Sequence, residues 1–434
     1  MRERLKRRMI PLIGSVLFVL IGMFTTTWGP THLLSRPEWA LPYDLWGTLI
    51  GTVRLAHGNI GGIYAQGTGL ISLPGTAVIL LPCAALINAL GLSLQIPGPN
   101  NLHPTVWLVA GPYQMALSCV ALFAADALAE RLGVTRWKRA LLTVASLGIL
   151  WSPAPRWGHP EDAFALGLLL YAVLAQSNGR VALAGWLTGC AVCVQPLVLL
   201  ALPVQLALLP WRRMIPFLVR GAAPSAVLLG ITAIANWHDT YRSVTSQPNS
   251  PVINHPTLWT SLAPQMAGQN VAAGPFRLAT ILLACLCALV VRHRWQARLA
   301  DRPDHEIPDK SGGAQQQAWP AALLVDVLWW VAFTLALRSF FEPVMVSYYP
   351  WPPMAVALIA AAALGWRRLW ATALLAGGLT AAAQGPSHAV WIWWVPIVAG
   401  LAVLLALARP KRAHRDGRGY RLEDGALGAE AVAR

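Results

Sequence analysis

Asp44 is the first residue in this chain placed to do chemistry. It stands in Pro42-Tyr-Asp-Leu-Trp46, shortly after the first long apolar run, a lone carboxylate between aromatic side chains. A general base acting on a substrate delivered by a membrane would sit in such a place. The same residue is also suited to cap the helix that follows it. A Gly-rich turn comes next, His57-Gly-Asn-Ile-Gly-Gly-Ile-Tyr64, and then an apolar segment through Pro74 and Pro82.

Two later stretches carry similar chemistry. In Arg156-Trp-Gly-His-Pro-Glu-Asp162 the Pro-Glu-Asp part fits a helix start, with acids favoured near the N-terminal dipole. That account leaves Arg156 and His159 unexplained. In Arg338-Ser-Phe-Phe-Glu-Pro-Val-Met-Val-Ser-Tyr-Tyr349 a guanidinium could grip a lipid phosphate bidentately, and Tyr348 and Tyr349 could face a sugar or a headgroup. Arg and Tyr also serve as ordinary interfacial anchors.

The elements that must position these residues are membrane helices. The chain has 434 residues, 56% hydrophobic and 12% charged, with mean hydropathy +0.52. An average soluble domain carries about twice that charge. The apolar runs recur along the whole length, which reads as an all-α polytopic membrane protein. The net charge of +15 sits in short clusters between those runs, a topology signal that gives nucleic acid no binding surface. The basic start, Arg2 to Arg8, precedes an apolar run without an A-x-A-like cleavage site, so it reads as a retained signal anchor. The six cysteines all lie in apolar segments. The Cys190-x-x-Cys193 pair therefore reads as packing rather than a metal or redox site.

Segment 70–92 decides the topology. If it crosses the membrane, the basic cluster Arg131, Arg136, Lys138, Arg139 falls on the side opposite the N-terminus. If it lies in the outer interface, that cluster and the later ones are cytoplasmic, as the positive-inside rule prefers. The second scheme predicts about twelve spans (11–13): 9–27, 104–128, 139–153, 161–176, 180–194, 196–210, 214–236, 276–291, 319–338, 350–365, 369–383 and 388–408. The pair 180–194 and 196–210 could instead form one bent element. Of the 33 Lys and Arg, Arg220 then sits inside a span, and those outside are Arg36, Arg54, Arg156, Arg242, Arg277 and Arg338. Residues 1–408 make one integral-membrane domain with external loops 28–103 and 237–275, a polar cytoplasmic loop 292–318 and a disordered cytoplasmic tail 409–434. Both termini are cytoplasmic, in the plasma membrane.

Asp126 and Asp326 fall within spans, where an acid is costly. Both lie toward the cytoplasmic side, so a partner between helices is expected. They are also the only hint of a polar path, which a transporter or lipid flippase would need. A non-catalytic membrane scaffold is the third class of reading.

The order of these features resembles the GT-C superfamily of polyprenyl-phosphate-sugar-dependent glycosyltransferases. It is similar in style to glycosyltransferase family 87 and related mannosyltransferases. The residues that carry the resemblance lie within about 10–215: Asp44 after the first span, Gly58-x-x-x-x-Ile-Tyr64, the segment with spaced prolines, Gly158-His-Pro-Glu-Asp162, Gln195-Pro196 and Trp211-Arg-Arg213. The family often has Gly-Gln-Pro-Asp at the fourth of these and Lys-Pro at the fifth.

The resemblance implies an inverting hexosyltransferase, with mannose as the sugar, on the outer face. Asp44 would be its catalytic carboxylate and segment 70–92 a juxtamembrane helix beside the site. His159, Glu161 and Asp162 complete the candidate catalytic set. Tyr43, His57, Tyr64, Arg156, Arg338, Tyr348 and Tyr349 are the candidate substrate contacts. The expected partners are membrane lipids, a polyprenyl-phosphate sugar, and a glycan, lipid or protein acceptor. No cofactor is expected, and a divalent metal stays open.

Overall fold

The computed structural model describes residues 7–27, 41–70, 72–94, 105–245, 250–300, 318–385 and 389–410. The chain is helical almost throughout. In order the elements are α1 (Met9–Thr27), α2 (Tyr43–Ala56), α3 (Gly75–Ala89), α4 (Trp107–Ser118), α5 (Val120–Arg131), α6 (Arg136–Leu150), α7 (Pro160–Ser177) and α8 (Val181–Val194). A 3₁₀ turn (Pro196–Ala201) leads into α9 (Leu202–Ala207), α10 (Trp211–Ala235) and α11 (Trp237–Thr245). A small antiparallel hairpin follows, β1 (Gln265–Met266) and β2 (Asn270–Val271). The chain then continues as α12 (Gly274–Ala300), α13 (Ala321–Phe341), α14 (Trp351–Leu364), α15 (Trp366–Ala383) and α16 (Trp394–Leu407).

Most of the segments expected to span are α-helical over their described residues, but 196–210 is a 3₁₀ turn with a six-residue helix, and the helix in 388–408 begins at Trp394. Among the described residues, five stretches are long and apolar enough to cross a membrane: Met9–Thr26, Trp107–Arg131, Trp211–Ala235, Gly274–Gln296 and Ala321–Phe341. The first, third and fourth leave most of their apolar side chains on the outside of the bundle, whereas α13 and α14 are buried at its centre.

Polar contacts gather at two opposite ends. At one, Arg8 bonds Asp126 at 2.6 Å and Glu130 at 2.7 Å, while Arg139 bonds Asp126 at 2.7 Å and the Arg7 carbonyl at 3.0 Å. Lys138 lies over Trp366, and Arg368 donates to the Arg409 carbonyl at 2.6 Å. The basic cluster 131–139 therefore shares an end with Arg7 and Arg8, and residue 409 is there too. That geometry matches the scheme in which 70–92 does not cross. Asp126 has the basic partners expected of it.

Segment 70–92 forms α3, which pairs with α2. Its first turns reach the bundle: Thr76 donates to Val194 O at 2.7 Å, and Tyr113 donates to Ile79 O at 2.6 Å. One face of α3 is buried through Leu80, Cys83, Ala84 and Ile87; the other exposes Val78, Pro82, Leu86 and Leu90. An apolar stripe left open beside a helical bundle suits a membrane interface.

Two expectations change in detail, and one open alternative is decided. Residues 292–300 continue α12 and are not loop, because no proline stops the helix before Pro303. The region 237–275 is not plain loop either: it holds α11 and the hairpin, and it docks on 342–346 through Thr257 Oγ1 to Glu342 O (2.9 Å) and Met345 N to His255 O (3.1 Å). Gln195 is extended (φ −142°, ψ 109°) and turns the chain back. Gln205 thereby meets Thr188 at 2.9 Å, so 180–194 and 196–210 are two antiparallel arms rather than one bent helix. The expectations for residues 28–40, 95–104, 301–317 and the tail from 411 lie outside the described residues.

Candidate active site

The site is built at the end opposite the basic cluster. Pro42, at φ −57° and ψ 139°, occupies the N-cap of α2, which places Asp44 inside the first turn. Asp44 therefore favours the helix dipole but does not cap the helix, and its side chain is left to reach elsewhere. Gly47 and Gly51 on the next turns let the Gly-rich stretch fold back along α2. Gly69 N donates to Gly47 O at 2.9 Å, and a Cβ on Gly51 would meet Ile63 O at 2.6 Å. The chain is thus returned to Gly75, which packs on the Cys193 carbonyl at the end of α8.

The second wall is the turn before α7. A π-helical turn, Ser152–Arg156, ends at Trp157, and Gly158 then adopts φ +72°. A Cβ there would lie 2.7 Å from Pro42 Cγ and 2.9 Å from Leu45 Cβ. Both the backbone and the space call for glycine. This close approach sets His159, the N-cap of α7, against the start of α2.

His159 joins two carboxylates. Its Nε2 is 3.0 Å from Asp44 Oδ2 and its Nδ1 is 2.7 Å from Glu161 Oε1. The imidazole is 13% exposed and the Asp44 side chain 52%. Burial opposes a charge on His159, but Glu161, the Asp44 hydrogen bond and Asp162 outweigh it and hold its pKa well above the ordinary value. At neutral pH the ring is an imidazolium that donates from both nitrogens. Burial likewise pushes the Asp44 carboxyl up, yet the His159 bond and charge win and keep it below the usual range. Asp44 is thus a carboxylate with Oδ2 engaged and half its surface open.

Around this pair, Asp162 Oδ1 accepts from Gln195 Nε2, so the Gln-Pro turn closes the site from α8. The Tyr348 ring lies 4.4 Å from the His159 ring, and burial, with Tyr349 beside it, raises its phenol well above normal and keeps it protonated. Arg338 lays its guanidinium 3.6 Å from the Tyr349 ring centre, with Nε 3.8 Å from Glu342. Arg277 holds the other Glu342 oxygen at 2.5 Å. An aromatic rim continues from Tyr348 to Trp157 (6.1 Å), His255 (6.4 Å from Trp157) and Trp393 (5.5 Å from His255). Trp157 is fixed by Gln384, which also bonds Ser152.

The structure therefore brings Asp44, His159, Glu161, Asp162, Arg338, Tyr348 and Tyr349 to one place. Arg156 is on the same turn, half-buried, and its guanidinium makes no hydrogen bond or ion pair among the described residues; burial lowers its pKa. Tyr43 is exposed and packs on Trp46, 5.2 Å between centroids, outside the bonded cluster. His57 and Tyr64 are elsewhere. His57 ends α2 about 20 Å along the helix from Asp44 and bonds Val53 O at 2.9 Å. Tyr64 is buried and donates to Ser72 O at 2.8 Å, pinning the Gly-rich loop. Neither side chain joins the cluster around His159. Gln195, Trp157, Gln384, Glu342 and Arg277 are the supporting residues that the sequence did not single out as a site.

Among the described residues, no group of three or more His, Cys, Asp or Glu has a geometry able to hold a metal. No known family model and no curated protein matches the chain.

Proposed function

We propose that the chain is an inverting glycosyltransferase of the GT-C kind that takes a sugar, mannose by resemblance, from a polyprenyl-phosphate donor. The acceptor is a lipid, glycan or protein hydroxyl on the outer face of the plasma membrane. The observation that carries this reading is the Asp44–His159–Glu161 chain: a half-open carboxylate held by a buried imidazolium at the mouth of a helical bundle.

In this mechanism the acceptor hydroxyl donates to the open oxygen of Asp44 and attacks the anomeric carbon. The new C–O bond forms as the bond from that carbon to the phosphate oxygen breaks. The electron pair leaves with polyprenyl phosphate, and the hydroxyl proton passes to Asp44. A carboxylate with a lowered pKa is a weak base, so proton transfer comes late, once the attacking oxygen has become acidic. The leaving phosphate is stable and needs no strong acid. Arg156, with its donors unengaged, is the group best able to meet its charge, whereas Arg338 is already committed to Tyr349 and Glu342. The rim of Tyr348, Trp157 and Trp393 offers faces for a sugar ring.

The twelve-span arrangement, with both termini cytoplasmic and the mouth external, belongs to the same proposal. The test is incubation of the purified protein with a panel of polyprenyl-phosphate sugars and an acceptor extract. Release of polyprenyl phosphate that requires Asp44 is the expected result.

A further inference from the structure

From Ala163 to His238 the sequence has no Asp or Glu, yet Arg180, Arg212, Arg213 and Arg220 all fall in this stretch. The fold collects them on one side of the basic end. α8 and α10 run side by side at close range: a Cβ on Gly185 would be 3.2 Å from both Arg220 Cβ and Phe217 O, and one on Gly189 would be 2.6 Å from Gly221 O. One turn back along both helices brings Arg180, the N-cap of α8, to the level of the first turn of α10, where Arg212 is exposed. Arg180, Arg212 and Arg220 have no carboxylate partner among the described residues.

Arg220 is the unusual member. It is the tenth residue of a helix whose neighbouring side chains, Ile215, Leu218 and Val219, are 63%, 41% and 63% exposed, as lipid-facing residues are. Arg220 lies at the edge between that exposed face and α8, and a charge at that depth is costly unless it is met by an anion or carried to the interface. Its guanidinium turns back toward the helix start and donates once, from Nη1 to Pro216 O at 3.2 Å. Its remaining N–H groups have no partner among the described residues. Trp211, 72% exposed at the helix start, marks the interface about 14 Å from Arg220 along the axis.

We propose that Arg220, with Arg180 and Arg212 above it, binds the phosphate headgroup of an anionic phospholipid from the leaflet at the basic end, in the seam between α8 and α10. The guanidinium fork suits a phosphodiester, the close α8–α10 contact at Gly185 and Gly189 holds Arg220 on the same seam as Arg180, and the exposed Val219 and Leu218 on the outer side of α10 receive the acyl chain. This inference rests on α10 facing lipid and is independent of the transferase reading.

Native mass spectrometry of the purified full chain with equal phosphatidylglycerol and phosphatidylcholine tests it. Phosphatidylglycerol should be retained preferentially. Arg220→Gln, at a partly exposed seam position whose guanidinium makes one backbone hydrogen bond, should weaken its retention about tenfold or more with no loss of Tm, while Arg242→Gln at the opposite end should not weaken it. Excess inorganic phosphate should not displace the lipid, because it lacks the acyl chains. Equal retention of both lipids, wild-type retention by Arg220→Gln, or full displacement by free phosphate would each overturn the proposal.

Discussion

His159 Nε2 lies 3.0 Å from Asp44 Oδ2, a pair formed across 115 positions of sequence. The contact joins the first helix after α1 to the turn before α7, and it turns two separately ambiguous residues into one unit. It also gives the pH behaviour a definite sign.

The folded pKa of His159 is raised above its unfolded value of about 6.5, so the stability it contributes is complete below that pH and is lost as pH rises through the folded value. Asp44 is depressed, so its contribution is present above about 3.9 and is lost as pH falls through the folded value. Thermal unfolding followed from pH 6 upward should show an alkaline loss in the wild type that flattens in His159→Gln. If the activity is as proposed, the acid limb of its pH profile should move up in the same variant, because Asp44 keeps its burial and loses its cation. A wild-type pH response in His159→Gln would count against an imidazolium at this position.

Gly158 is the hinge of the pair. Gly158→Ala must either strain a backbone at φ +72° or push Pro42 and Leu45 away. The cost should be at least about 1 kcal/mol by thermal unfolding. Loss of activity should exceed what that destabilisation explains, because α2 and His159 would part.

The two arginines should separate. Arg156→Gln should raise the donor KM about ten- to a hundredfold with little change in Tm, since a charge-assisted contact to phosphate is worth about 1.5–3 kcal/mol. Arg338→Gln should lower Tm as well, because it removes the cation over Tyr349 and one partner of the buried Glu342. Equal effects on KM and Tm in both variants would remove Arg156 from the phosphate site.

Topology is open to cysteine labelling in a background without native cysteines. Thr135→Cys, exposed beside the basic cluster, should resist an impermeant reagent in intact cells, and Gln66→Cys in the Gly-rich loop should react. Thr135 is chosen over Gly133, whose φ of +72° would strain a cysteine. Labelling at both positions would refute the non-crossing α3.

The helical segments are legible in the sequence because apolar runs recur along the chain, some long and some short, and the basic end because basic residues cluster between runs. Asp44, His159, Glu161 and Asp162 were found as local patterns, but their mutual geometry was not. Nothing local in the sequence tells His159 that its partner is Asp44, or tells Gln195 that it will donate to Asp162. His57 and Tyr64 looked functional for the opposite reason. A polar or aromatic residue in a Gly-rich turn has the composition of a site, and only the fold reveals that Tyr64 is spent on Ser72 O. The end of α12 reads as loop because five of its nine residues, Arg292, His293, Arg294, Gln296 and Arg298, are polar, until their lack of a helix breaker is weighed.

The most direct test of the central claim is donor turnover by Asp44→Asn. The substitution keeps shape, and the N-cap is Pro42, so folding and insertion should be close to normal. Polyprenyl phosphate release from a donor that the wild type uses should fall about 10²- to 10⁴-fold, the usual cost of losing a general base. Full release by a well-folded Asp44→Asn protein would contradict the account.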